Sequence, residues 1–243
     1  MIELRNVTDR PHIFGDHKLL FEGASLSLPK GRYALLSETP ELHPAVIDVL
    51  AGLRPPRYGY VEHVGLASWP VGRMGFVRGK LTGIQMSNFI CSLYGLDRHY
   101  CLDFLNGILS NPEYLSKKIL DWPAYVRQEY TFSLSLVPAF ELYFIDNVMP
   151  ADKSRFSRLW HSLFEERIVG RSLVLSSYSA DQLMDYCTKA LIYEQGSLRI
   201  DDDLDSCLRR YPLKQSRADR STDAEGDDSA EFEEAAAGDG LFF

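Results

Sequence analysis

Short apolar runs alternate with longer amphipathic stretches over most of the chain. Runs of aliphatic, β-branched and aromatic residues predict strands, which fall at residues 2–5, 19–28, 32–36, 60–64, 140–145, 172–176, 190–193 and 197–200. Apolar positions spaced three and four apart predict helices, at residues 85–95, in two or three stretches up to about 119, and at 124–137, 153–169 and 180–186. Residues 68–80 follow neither period, so we expect an irregular segment there.

This alternation of strands and helices predicts an α/β fold, because helices that connect parallel strands cover the faces of the sheet. We expect a core with a mostly parallel sheet over residues 1–83 and 139–205, with antiparallel strands near its N-terminal end. The mostly helical stretch 84–138 lies between two core strands and predicts an inserted helical subdomain. Residues 206–243 form a separate acidic tail.

The negative charge of the chain is concentrated in that tail. The formal net charge is −8, and residues 215–243 carry nine acidic and two basic side chains, which leaves the rest of the chain near −1. The body therefore shows no basic surface of the kind that binds nucleic acid. The composition of the tail predicts disorder, and its apolar residues Leu241–Phe243 are interpreted either as a docking tip or as an untethered end.

The cysteines and the N-terminal residues indicate a cytoplasmic protein. The cysteines lie far apart in apolar surroundings without metal-ligand spacing, which predicts buried free thiols; they are Cys91, Cys101, Cys187 and Cys207. The first ten residues are charged and resemble a strand, unlike a signal peptide. No apolar run approaches the roughly 18 residues that span a bilayer. We therefore expect no direct membrane insertion and, at most, a peripheral membrane position held by a partner.

A strand, a loop and a helix at residues 33–53 stand where a phosphate-binding loop would be expected. Such a loop needs glycines, a lysine and a serine or threonine. This loop has neither glycine nor lysine; it reads Ser37, Glu38, Thr39, Pro40, Glu41, Leu42, His43, Pro44, Ala45. A carboxylate about 4 Å from a phosphate charge costs about 4 kcal/mol at an effective dielectric constant of about 20, although the two glutamates also suit a solvated loop.

The order of motifs along the chain carries a resemblance to a known family. The fragments lie at residues 1–8, 47–53, 68–72, 81–83, 93–95, 132–136 and 143–146. Together they resemble the nucleotide-binding subunit of ABC transporters, and most of all the ATP-binding subunit of capsular-polysaccharide exporters. The resemblance implies a P-loop NTPase-like ABC nucleotide-binding domain. No single fragment would be specific, but their spacing is kept over about 200 residues.

The resemblance also implies roles for individual positions, and the expected residue types are missing at most of them. His43 stands at the lysine position of the phosphate loop, Pro44 at its serine and Ala45 at its threonine. Asp146 stands at the Walker B aspartate, a Mg²⁺ partner. Asn147 stands at the catalytic glutamate, and an amide cannot accept a proton as a carboxylate does.

Four further family positions are changed as well. The signature segment, which should offer a Ser-Gly pair to ATP on a partner subunit, reads Pro123, Ala124, Tyr125, Val126. Tyr178 stands at the switch histidine, and Arg78 lies nearest the glutamine of the coupling loop. The aromatic residue that would stack on adenine near Pro11 is absent from that spot, although His12 and Phe14 are close.

Two hypotheses for the function stay open. The first is a pseudo-ATPase with no cofactor, a structural or regulatory subunit that docks the membrane-spanning subunit of an ABC exporter or a partner ATPase subunit, as a homodimer or heterodimer. The second is a divergent but active ATPase that uses Mg-ATP to energise capsular polysaccharide export, with other cations such as Arg78, Lys80 or His43 at the phosphates. The sequence gives no positive indication that the altered pocket binds a different ligand.

Overall fold

The computed structural model describes residues 1–9, 19–73, 75, 77–211 and 213. The described strands are β1 (Ile2–Asp9), β2 (Phe21–Leu28), β3 (Arg32–Ser37), β4 (Tyr58–His63), β5 (Ala67–Val71), β6 (Leu142–Asp146), β7 (Ser172–Ser176), β8 (Lys189–Glu194) and β9 (Ser197–Asp201). The described α-helices are α1 (His43–Leu50), α2 (Gly83–Tyr94), α3 (Arg98–Ile108), α4 (Ala124–Leu134), α5 (Arg155–Ile168), α6 (Ala180–Tyr186) and α7 (Leu204–Arg210). Short 3-10 helices cover Pro40–Leu42, Pro112–Ser116 and Ile119–Asp121.

The strands form two sheets, which confirms the predicted α/β architecture. The six-stranded sheet has the order β5-β6-β7-β3-β8-β9 and is parallel except for β9, which pairs antiparallel with β8. The three-stranded sheet has the order β2-β1-β4 and is antiparallel throughout. The mostly parallel core and the antiparallel N-terminal strands are thus both present.

The central strands of the larger sheet are buried on both faces. Along β3, Ala34 and Leu36 face one apolar cluster, whereas Tyr33 and Leu35 face the other. Because side chains alternate between the two faces of a strand, both faces must be apolar, and the strand reads as one continuous apolar run. Helix α1 and the small sheet cover one face, while α4 and α5 contribute to the cluster on the other.

Helices α2, α3 and α4 follow one another between β5 and β6. Helix α2 begins with a reciprocal capping box between Thr82 and Gln85 and ends at Gly95, whose left-handed backbone (φ +66°) stops the helix. Such a cap supplies partners to backbone amides that lack them inside the helix. The division of the chain at residues 84 and 138 stays a prediction.

Two sequence-based expectations are wrong. Strand β5 (Ala67–Val71) covers the start of the segment 68–80, for which the sequence predicts irregular structure; it contains Pro70 and is the edge strand of the sheet, where a missing amide donor is tolerated. Helix α7 continues to Arg210, inside the predicted disordered tail, and Cys207 and Tyr211 belong to the apolar core. The prediction of disorder for residues 214–243 lies outside the described residues.

The prediction of buried free thiols is confirmed for all four cysteines. Burial raises the pKa of Cys187 to about 12, so this thiol stays protonated and unreactive at neutral pH. The described helices also include none that is long and apolar enough to cross a lipid bilayer.

Trp160 on α5 joins the helices that pack on one face of the sheet. Its side chain is fully buried, stacks on Phe164 at a centroid distance of 4.8 Å, and donates its indole N–H to the carbonyl of Phe132 at 3.1 Å. We expect Trp160→Ala to lower the free energy of unfolding by about 3–5 kcal/mol, because it leaves a large cavity. Urea denaturation measures the change.

Val169→Ala, just beyond the same helix, is the matched control, because Val169 is 77% exposed. It should change the free energy of unfolding by no more than about 0.5 kcal/mol. Equal effects of the two substitutions would show that Trp160 does not anchor the packing of α4 against α5.

Candidate functional site

The candidate site lies where three neighbouring parallel strands end at one edge of the sheet. Ser37 is the last residue of β3, Ser176 the last of β7 and Asp146 the last of β6. Strand β7 lies between the other two, and Asp146 is the register partner of Ser176. The sheet therefore places two hydroxyls and a carboxylate in a row, at the edge where ligands of open α/β sheets bind.

The imidazole of His43 fills the space between the two serines. Its Nε2 lies 2.9 Å from Ser37 Oγ and its Nδ1 lies 2.8 Å from Ser176 Oγ. His43 is the first residue of α1 and is only 5% exposed. The position that the family resemblance assigns to a phosphate-binding lysine thus holds a ring that is hydrogen-bonded on both sides to the protein.

The donors and acceptors of this contact are consistent with a neutral imidazole. Ser176 Oγ donates to Asn147 Oδ1 at 3.1 Å, so its single hydroxyl hydrogen is used there and it accepts from His43 Nδ1–H. His43 Nε2 can then accept the hydroxyl hydrogen of Ser37. A neutral histidine carries one donor and one acceptor nitrogen, and both are satisfied in this arrangement.

The network continues from Asn147 to the carboxylate of Asp146. Asn147 Nδ2 donates to Asp146 Oδ1 at 3.0 Å, and its backbone N–H donates to the carbonyl of Ser176 at 2.8 Å. Asn147 has a left-handed backbone (φ +58°), a conformation that asparagine adopts more readily than most residues. Asn147, which the family resemblance assigns to the catalytic glutamate, is therefore turned toward the protein and bonded to both Asp146 and Ser176.

Arg73 completes the network, and sequence reasoning missed it. Its Nη2 donates to Asp146 Oδ2 at 2.6 Å, and its Nη1 donates to Asp48 on α1. Burial of the guanidinium acts against its charge, but the bonds and charges of Asp146 and Asp48 outweigh burial and raise the pKa of Arg73. A fixed cation thus lies at the aspartate for which the family resemblance predicts a Mg²⁺ contact.

The loop before α1 offers few free backbone donors. The amide of Thr39 donates to Ser37 Oγ at 3.2 Å, that of Leu42 to the Thr39 carbonyl at 3.0 Å, and that of His43 to the Pro40 carbonyl. Pro40 and Pro44 have no amide hydrogen. A phosphate cradle depends on several backbone N–H groups that converge on one anion, and here three of them are used within the protein.

Several predicted site residues lie on the surface of the protein and outside this network. Glu38 and Glu41 are exposed, in agreement with the solvated-loop interpretation. Tyr178 is 40% exposed. Arg78, proposed from sequence for the coupling loop, is exposed and makes no ion pair with a described residue, whereas Arg73, five residues earlier, contacts Asp146. The positions of His12 and Phe14 lie outside the described residues.

The predicted signature segment forms the start of α4. Pro123 caps the helix without a side-chain hydrogen bond, Ala124 and Tyr125 are exposed, and Val126 is buried. The hydroxyl of Tyr125 donates to Asn111 Oδ1 at 3.2 Å. The helix start therefore shows an aromatic ring where close approach of a phosphate would require a small residue.

The residues of the site do not fit a Mg-nucleotide. His43, which the family resemblance assigns to the lysine, is bonded on both sides, Asp146 is paired with Arg73, and the side chains of Pro44 and Ala45 carry no metal-ligating group. The described residues also include no group of three or more His, Cys, Asp and Glu side chains that could hold a metal ion.

Comparison with known proteins decides the family. The chain is 30% identical to the ATP-binding protein BexA of Haemophilus influenzae over 213 residues, which cover 87% of this chain and 98% of BexA. The chain belongs to the ATP-binding-protein family of ABC transporters. It is also 28% identical to the capsule polysaccharide export ATP-binding protein CtrD of Neisseria meningitidis over 87% of this chain and 98% of CtrD.

A third relative agrees with this family, and two solved structures share its fold. The ABC subunit is 24% identical to the polysialic acid transport ATP-binding protein KpsT of Escherichia coli over 80% of this chain and 88% of KpsT. A solved dimeric ATP-binding cassette bound to ADP and phosphate superposes with a TM-score of 0.65 at 12% identity, over 83% of this chain and 98% of the cassette. The ATP-binding subunit of an ABC transporter gives a TM-score of 0.61 at 14% identity, over 90% and 97% of the two chains. No family model matches the chain.

We expect Arg73→Ala to destabilise this subunit, because Asp48 and Asp146 would face each other without the guanidinium. Asp146 is only 11% exposed, while Arg73 and Asp48 are each 32% exposed. The free energy of unfolding should fall by about 2 kcal/mol, less than the loss of a partner in a fully buried pair. Urea denaturation in the absence of nucleotide measures the change.

Arg209→Ala is the matched control. Arg209 pairs with Asp205 on α7, and both side chains are more than half exposed, so its loss should cost no more than about 0.5 kcal/mol. If Arg73→Ala were as mild as this control, the guanidinium would not be a structural part of the site.

Proposed function

We propose that this ABC subunit serves a capsular-polysaccharide export system as a structural or regulatory component that does not hydrolyse ATP. One observation carries the proposal: a hydrogen-bonded chain of protein groups fills the site. It runs through Ser37, His43, Ser176, Asn147, Asp146, Arg73 and Asp48. His43 and Asp146, which the family resemblance assigns to the phosphate-binding lysine and to the Mg²⁺ contact, both belong to this hydrogen-bonded network.

The free energy of the hydrogen bonds around His43 opposes nucleotide binding. To admit a phosphate, His43 would have to leave two hydroxyl partners, and the loop would have to release amides that donate to Ser37, Thr39 and Pro40. Each hydrogen bond lost without replacement costs roughly 1–3 kcal/mol in a buried place. The incoming phosphate would regain neither a lysine charge nor a glycine-rich cradle.

The signature position supports the same conclusion for a dimer. In the family, each hydrolysis site combines the phosphate loop of one subunit with the signature of another. Here the loop holds His43 and Pro44, and the signature position holds Tyr125. A homodimer would have no complete site, and a heterodimer with an ordinary subunit would have both of its sites altered. The partner that this function requires is a membrane-spanning exporter subunit or an ATPase subunit.

The proposal predicts that the purified subunit does not bind nucleotide. Titration calorimetry with millimolar ATP and Mg²⁺ should give no binding heat, because the phosphate site is filled by His43. BexA, measured under the same conditions, is the positive control. Clear binding in the micromolar range by this subunit would overturn the proposal.

A divergent ATPase is the second candidate, and the relatives favour it, because BexA, CtrD and KpsT are all named ATP-binding proteins. This function would require Asp146 to exchange Arg73 for a metal ion. The discriminating experiment compares ATP turnover of the subunit with that of Asp146→Ala. The first proposal predicts equal background rates, whereas a rate at least about tenfold higher than that of the variant would establish the ATPase.

A further inference from the structure

A cluster of exposed cations lies beside the coupling loop and plays no part in the network described above. Two stretches of backbone run antiparallel there: the amide of Leu120 donates to the Gly79 carbonyl at 3.0 Å, and that of Ile119 donates to the Leu81 carbonyl at 2.9 Å. Thr82 and Lys118 form an isolated antiparallel bridge in the same pairing. These contacts hold the side chains of residues 78–81 close to those of residues 117–120.

The surface of this pairing combines positive charge with apolar side chains. We call it the basic patch, and its members are Arg78, Lys80, Lys117 and Lys118 together with Leu81 and Leu120. All four cations are exposed, and none forms an ion pair within 4.0 Å with a described residue. Leu81 is 44% and Leu120 is 62% exposed.

Some of the other exposed cations of the subunit form ion pairs with nearby carboxylates. Lys189 pairs with Asp202 at 2.6 Å, and Arg199 pairs with Asp201 at 3.0 Å. In the basic patch, by contrast, the acids nearest in sequence are Glu113 and Asp121, and neither pairs with the four cations. The patch therefore keeps an excess of positive charge on a protein body whose net charge is near −1.

The acidic tail has the complementary chemistry. Residues 221–243 carry eight acidic side chains and neither lysine nor arginine, together with the apolar residues Phe232 and Leu241–Phe243. We propose that the basic patch binds this acidic segment of the same chain, with carboxylates on the four cations and apolar side chains against Leu81 and Leu120.

The length of the tail permits this contact. The last described residue is Leu213, which packs against the core, and nine residues separate it from Asp223. A chain of about 30 residues has a root-mean-square span of about 30 Å, whereas a domain of this size has a radius of gyration of about 18 Å. The span of the tail thus exceeds the radius of gyration of the domain, and tethering raises the local concentration of the tail to the millimolar range.

Carbodiimide cross-linking of the full chain, followed by mass spectrometry, tests the proposal. The reagent joins a lysine amine to a carboxylate that contacts it. Lys30 and Lys153 are exposed lysines that do not belong to the patch, and they serve as internal controls. At about 50 mM salt, Lys80, Lys117 and Lys118 should cross-link to residues 223–239 at least about fivefold more than the controls do, and about 500 mM salt should remove most of this excess because the charges are screened.

Two variants separate the patch from a competing surface. The double substitution Lys80→Glu and Lys118→Glu should lower the cross-linking of Lys117 to the tail severalfold. Arg167→Glu should leave it unchanged, although Arg167 lines another cleft of about 400 Å³, together with Tyr100, Phe104 and Arg171. Loss of cross-linking in Arg167→Glu alone would overturn the proposal.

Three further results would also contradict it. One is equal cross-linking of patch and control lysines, and another is the absence of any cross-link to the tail. The third is cross-linking between differently isotope-labelled chains instead of within one chain, which would make a second copy the occupant of the patch.

Discussion

The hydrogen bonds of one imidazole connect the parts of the protein that meet at the site. His43 opens α1, and its ring joins Ser37 at the end of β3 to Ser176 at the end of β7. The two serines lie on adjacent parallel strands. The His43 ring therefore connects the first turn of α1 to the C-terminal ends of both strands. A buried polar network is stabilising only when every member has a partner, and the arrangement of Asn147 and Asp146 follows from that requirement.

The charge at the end of this network is provided by the protein itself. Arg73 lies between Asp146 of the sheet and Asp48 of α1, so the two carboxylates share one guanidinium. The Arg73 side chain at Asp146 is a permanent part of the protein, whereas a metal ion bound with a nucleotide would associate and dissociate. Under the proposed function, what the subunit offers a transporter is therefore its shape and surface.

The family fold was largely predictable from sequence, and the contacts of the site were not. Strands such as β3 and β7 are buried on both faces, so their apolar runs are unambiguous, and the missing glycines and lysine of the loop can be read directly. Strand β5 was missed because Pro70 is unusual in a strand. Without β5, no position could be assigned to Arg73, which follows it. The bond from His43 to Ser176 spans 133 residues, and no local pattern encodes it.

A crystal structure of the subunit grown with a non-hydrolysable ATP analogue and Mg²⁺, both at millimolar concentration, tests the central claim most directly. The account predicts that the His43 ring stays between Ser37 and Ser176, that Arg73 stays on Asp146, and that no electron density for phosphate appears at residues 37–45. Density for a β- or γ-phosphate on that loop, with the His43 ring displaced and a metal ion at Asp146, would contradict it.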